Sequence, residues 1–171
     1  MTERGPIAPD AVAAAVGSLV GLPVTKARIG WGTFVTIDFG ELRQSPVGDY
    51  IGDFHLWVYG GMWAIIQDGV VTATADDSRL VMEQAVTAIE GAKSIAASVG
   101  EDGRRLQLDF APGPLRLIVE PCNEDDMEDW KLYLPSGSVI VVGPGESIRA
   151  FPANEIDPLG DSPNGNGGEP G

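Results

Sequence analysis

Residues 62 to 74 read Met-Trp-Ala-Ile-Ile-Gln-Asp-Gly-Val-Val-Thr-Ala-Thr. Two arms rich in β-branched and aromatic residues, Met62 to Gln67 and Val70 to Thr74, flank Asp68-Gly69. A two-residue hairpin turn needs positive φ at both central positions, and Asp-Gly tolerates that. The same pattern of short strands spreads in both directions. Toward the N-terminus, Gly60-Gly61 is a turn, Asp53 to Tyr59 a strand, and Gly40 to Gly52 a polar loop. In Thr33 to Phe39, Val35, Ile37 and Phe39 alternate with Thr36 and Asp38, which marks a strand with one buried face. A Gly30-Trp31-Gly32 turn joins it to a strand from Val24 to Ile29. Toward the C-terminus, strands are expected at Ser94 to Ser98, Leu106 to Phe110, Leu115 to Glu120, Trp130 to Leu134 and Ser138 to Val142.

Two segments carry helical spacing instead. Asp10 is the expected N-cap of the first, whose stripe is Val12, Val16, Leu19 and Val20 and whose stop is Gly21 with Pro23. Asp76-Asp77-Ser78 caps the second, with Val81, Met82, Ala85, Ala88 and Ile89 inward and Gly91 as its stop. Consecutive strands are joined too tightly for parallel crossovers, so the sheet is antiparallel. The expected class is α+β: a predominantly antiparallel curved sheet or sandwich of about eight or nine short strands, with two helices and Ser78 to Glu90 packed on one face or end. No internal repeat is evident.

One domain is expected from 171 residues. Residues 1–8 read as a flexible N-terminus and 9–150 as the globular domain. Residues 151–171 read as a disordered acidic tail, because Pro, Gly, Asn and Asp dominate and little there can be buried. The single cysteine, Cys122, cannot form an internal disulfide, which favours a reducing cytoplasm. Ala11 to Leu22 is apolar, but Glu3, Arg4 and Asp10 precede it, unlike the positive start of a signal peptide. No apolar run is long enough to span a bilayer. With 25 acidic and 11 basic residues the net charge is −14, a field that repels nucleic acid and anionic membranes and attracts a basic protein.

Catalytic constellations are sparse. His55 and Cys122 are each the sole residue of their kind. His55 sits inside an expected strand, and carboxylates beside Cys122 would raise its pKa and blunt it as a nucleophile. The run Glu124, Asp125, Asp126, Glu128 and Asp129 offers oxygen ligands, but it lacks the central glycine and ligand spacing of an EF-hand loop. One cysteine and one histidine do not make a zinc site. Val141 to Ser147 has neither the third glycine of a dinucleotide fingerprint nor the Gly-Lys-Ser/Thr of a P-loop. No cofactor or metal is expected, and no enzymatic activity. His55, Trp57 and Tyr59 share one strand face, and Trp63 follows after the glycine turn. These four aromatics and the five acids are the candidate binding residues.

Four motifs, Ile29 to Gly40, Trp63 to Gly69, Asp76 to Ser78 and Asp126 to Gly137, together resemble a loose group of small uncharacterised bacterial β-rich domains. The likeness spans roughly residues 20–143. Some members of that group are toxin-immunity proteins, so the resemblance implies a non-catalytic, immunity-type inhibitor that binds a protein. It carries over no functional residues. The expected function is therefore a protein-binding module that uses acidic and aromatic contacts. The alternatives are a structural or accessory subunit, and a small-molecule-binding domain or cryptic enzyme if His55 lies in a pocket with a carboxylate.

Overall fold

The computed structural model describes residues 5–44, 48–60 and 62–154; the expected tail from 155 onward lies outside them. In chain order the elements are β1 (Gly5–Pro6), α1 (Pro9–Gly17), β2 (Val24–Ile29), β3 (Val35–Phe39), β4 (Arg43–Gln44), β5 (Tyr50–Ile51), β6 (Phe54–Val58), β7 (Met62–Gln67), β8 (Val70–Thr74), α2 (Arg79–Thr87), β9 (Lys93–Val99), β10 (Leu106–Ala111), β11 (Leu115–Glu120), β12 (Trp130–Tyr133), β13 (Ser138–Val142) and β14 (Ile148–Pro152). All pairing is antiparallel, so the α+β, β-rich class holds. A seven-stranded sheet runs β1-β14-β13-β12-β6-β3-β2, and a five-stranded sheet runs β8-β7-β11-β10-β9. The polar loop from Gly40 to Gly52 holds a third, two-stranded sheet, β4-β5.

The chain does contain a repeat, contrary to the expectation from sequence. Val12, Val16 and Leu19 are the buried stripe before Gly21; Met82, Val86 and Ile89 are the same stripe before Gly91. Both glycines lie at positive φ, 91° and 82°, a conformation that favours glycine. Each helix is followed by a three-stranded meander in one common register. Val35 faces Val58 and Phe39 faces Phe54 in the first; Leu106 faces Val119 and Phe110 faces Leu115 in the second. Even the irregularities match, with one β-bulge between Val24 and Lys26 and another opposite Asp109 and Phe110.

The last hairpin of each half is exchanged. β7-β8 follow β6 in the chain but pair with β11, whereas β12-β13 follow β11 and pair with β6. Trp63 and Trp130 thereby take equivalent places. Each is buried, and their Nε1 groups donate to Thr33 O at 2.9 Å and Arg104 O at 2.8 Å. The halves meet where β2 and β9 begin. Gly21 N donates to Ser94 O and Gly91 N to Val24 O; Val24 N donates to Ala92 O and Ser94 N to Leu22 O. These bonds are reciprocal, as a local two-fold requires. Phe39 and Phe110 stack across it at 6.5 Å, and one continuous core draws on both sheets and both helices.

Several local expectations need correction. Ala8, not Asp10, is the N-cap of α1, because Pro9 fills the first helical position, where a missing N–H costs nothing. Val20, Val81 and Ala88 are exposed, and Val86 takes the inward place, so each stripe is narrower than the apolar residues suggest. Ser78 caps α2 by accepting from Val81 N, while Asp77 instead accepts from Thr74 N and Oγ1. β1 and β14 were not anticipated: Gly5 and Pro6 pair with Ala150 and Arg149, and β14 extends through Pro152. β14 owes its strand state to the edge of β13, and β1 to β14 in turn, rather than to their own composition.

Candidate functional site

β6 and β12 present His55, Trp57, Lys131 and Tyr133 on the outward face of the larger sheet, because residues two apart on a strand share a face. Tyr59 continues the row. Trp57 and Tyr59 stack at 4.8 Å, His55 meets Trp57 edge-on at 6.0 Å, and Tyr133 lies 5.7 Å from His55. Phe34 closes on Tyr59 at 5.1 Å, and Lys131 Nζ stands 5.0 Å above the Tyr59 ring. The row is packed rather than open: Tyr59 is buried, and His55, Trp57 and Tyr133 are half-buried. Burial, with Tyr133 and Glu128 adding to it, raises the Tyr59 phenol well above the ordinary range. Burial and Glu128 push Tyr133 the same way. Trp63 does not join this row. It faces inward on the other sheet, because β7 pairs with β11 and not with β6.

The acidic run divides in two. Glu124, Asp125 and Asp126 are exposed beside an exposed Met127. Glu128 and Asp129 turn into the fold. Glu128 pairs with Lys131 at 2.8 Å and Arg149 at 3.5 Å. Buried Asp129 accepts from Cys122 N at 2.8 Å, and Arg104 lies 3.9 Å away. Through Glu128 and Lys131 the acidic loop reaches the aromatic row, so the two candidate regions adjoin. Only the outer three carboxylates are free to meet a partner's charges.

His55 Nδ1 donates to Asp38 Oδ1 at 2.7 Å, and Gly52 N donates to the same oxygen at 2.8 Å. A histidine held by a buried carboxylate is half of what general-base chemistry needs. The repeat supplies another account of it. At the same register position of the second half, Asp109 pairs with Arg116 at 2.6 Å. An acid facing a base across these two strands is thus a feature of both meanders. Cys122 is no partner for His55: it lies against Asp129, whose cross-strand neighbourhood is Trp130 and Val142, whereas His55 faces Tyr133 at the other end of β12. Burial first, then the carboxylates of Asp129 and Glu124, raises the Cys122 thiol above its ordinary pKa, outweighing a backbone hydrogen bond that lowers it. Among the described residues no group of three His, Cys, Asp or Glu side chains is arranged to hold a metal ion.

A different surface emerges on the smaller sheet. Met62, Val70, Val71 and Ile95 are 64%, 64%, 54% and 54% exposed. Met62 opposes Glu120, and Val71 is level with Ile66 and Arg116, so Met62 and Val71 lie on its outward face, whereas Val70, level with Gln67 and Leu115, is on the other. A shallow depression there is lined by Ile66, Ile95, Leu115, Asp109 and Arg116. The equivalent outward residues of the larger sheet, Val139 and Val141, are buried with Phe151 of β14. The sequence reading missed this surface. Its signal was the uninterrupted Val70-Val71, which lacks the polar alternation of a solvent-facing strand.

No known family model matches the chain, and neither a curated protein nor a solved structure matches it. No helix among the described residues is long and apolar enough to cross a membrane.

Proposed function

We propose that this chain is a non-catalytic protein-binding module whose main contact surface is the outward face of the smaller sheet. The observation that carries this reading is the exposure of the aliphatic side chains of Met62, Val71 and Ile95 on that face, the last of them lining the depression. On this face exposed aliphatic side chains stand on both sides of the Arg116–Asp109 pair, with Glu120 beside Met62, and mixed apolar and charged surface of this kind is what protein interfaces bury. The net charge of −14 and the outer acids Glu124, Asp125 and Asp126 favour a basic partner by steering its approach. An immunity-type inhibitor facing a basic toxin is the narrower form of this reading and rests on that charge excess. The lone thiol supports a reducing, cytoplasmic setting.

The test is affinity capture from native lysate with the intact chain, beside a Met62→Glu/Ile95→Glu variant. A protein retained by the first and lost by the second supports the proposal. Recovery of no protein by the intact chain, with both forms folded by circular dichroism, would remove it. Equal retention by both would move the surface elsewhere.

A further inference from the structure

The two halves are built alike but finished differently. In the larger sheet, the outer edge of β13 receives β14 antiparallel, with Val139 facing Phe151 and Val141 facing Arg149. In the smaller sheet β8 holds the place of β13, and among the described residues no strand pairs with its outer edge. That edge reads Val-Val-Thr-Ala-Thr and has neither charge nor proline. Exposed edges are ordinarily protected by lysine, proline or a covering element, since their free N–H and C=O groups template another strand. The edge is interrupted by the bulge against Ile65 and Ile66, whose Thr72 hydroxyl donates back to Ile65 O, and its last residue is already engaged, Thr74 N donating to Asp77 Oδ2 and Asp77 N to Thr74 O, so the open stretch is Val70 to Ala73.

We propose that β8 accepts an extended segment of a partner protein as an added antiparallel strand, aliphatic or aromatic at alternate positions and basic at its flanks. This deepens the binding function above and rests on it. The internal template is β14 on β13, where the occupant is Ile-Arg-Ala-Phe-Pro. Both faces of the edge can seat alternate side chains, as strand addition requires. One face has Val71, Ile66 and the apolar depression. The other has a groove between β8 and α2 lined by Thr72, Val81, Ala85 and Ala88. Charge selects the flanks: β8 is bounded by Asp68 at one end and by Asp76 and Asp77 at the other, all exposed. Antiparallel pairing of β8 with a second copy would set Asp68 against Asp76 and Asp77, like charge on like charge. A lysine- or arginine-flanked strand meets opposite charge at both ends.

The probe is a labelled peptide with the β14 sequence from Ile148 to Phe151 between pairs of lysines, and the same core between pairs of glutamates. Fluorescence anisotropy with the intact chain should show the lysine form binding at least about tenfold more tightly, a preference that falls as salt rises. Hydrogen exchange should slow at β8 amides when it binds. Val71→Lys should abolish binding, and Val20→Lys, at an exposed site in the turn that follows the first helix, should leave it unchanged. Equal affinity of the two peptides, or undiminished binding to Val71→Lys, overturns the inference. So does a dimer by light scattering that Val71→Lys dissociates, because the occupant is then a second copy. A protein captured from lysate whose retention needs Met62 and Ile95 but survives Val71→Lys leaves the binding function standing and removes the added strand.

Discussion

Asp38 and Asp109 hold one register position in the two halves, yet their surroundings differ. Asp38 is buried and accepts from both His55 and Gly52, whereas Asp109 meets Arg116 at a partly exposed site. Removing an acceptor from buried donors costs more than breaking an exposed pair. Asp38→Ala should therefore destabilise the fold by about 2 kcal/mol in urea titration, and Asp109→Ala should cost clearly less. The tyrosines make a second residue-scale prediction. In a Tyr50→Phe variant only Tyr59 and Tyr133 remain, and both are pushed above the ordinary phenol range, mainly by burial. Phenolate absorbance at 295 nm should thus appear above the usual value near pH 10. Above that pH the unfolded chain loses protons that the folded chain keeps, so stability falls as pH rises. The row itself was legible from sequence, since alternation puts His55, Trp57 and Tyr59 on one strand face. The Asp38–His55 contact was not, because it joins neighbouring strands across a long loop.

At the scale of elements, the local rules served where they were self-contained. Asp68 and Gly69 adopt φ of 52° and 76°, the double positive turn that the hairpin arms announced. The strands with period-two alternation sit where the pattern put them. The helices were overdrawn, because α1 ends at Gly17 and α2 at Thr87, each followed by a turn that runs to a glycine. Those glycines do equivalent work, donating Gly21 N to Ser94 O and Gly91 N to Val24 O. Alanine at either should cost about 1 kcal/mol, since an L-residue resists positive φ. Matched losses in thermal melts of Gly21→Ala and Gly91→Ala would follow from the local two-fold, and unequal losses would argue against their equivalence. β1 and β14 were illegible because short strands on a sheet edge owe their state to the neighbour that offers hydrogen bonds.

Across the whole molecule, the exchanged hairpins make each half incomplete. Residues 1–76 would lack the β12-β13 hairpin that covers β6, and 77–171 would lack the β7-β8 hairpin that covers β11. Either fragment alone should be poorly folded by circular dichroism, and mixing the two should restore the native spectrum and a single species on gel filtration. Well-folded separate fragments would contradict the exchange. Sequence by itself determined the class, because alternation, turn residues and short connections are local and leave few alternatives to an antiparallel, β-rich chain with two helices. It also determined the net charge of −14. The duplication escaped it. The extra loop between β3 and β6 shifts the spacing, and the matched residues share little beyond burial, as Val35 to Phe39 and Leu106 to Phe110 show with only Asp-Phe in common. Only the tertiary structure decided which sheet each hairpin joins, that Trp63 faces the core, and that among the described residues no strand covers β8 as β14 covers β13. Those are outcomes of long-range pairing, and hydrogen bonds between distant strands leave no periodic mark on the chain that makes them.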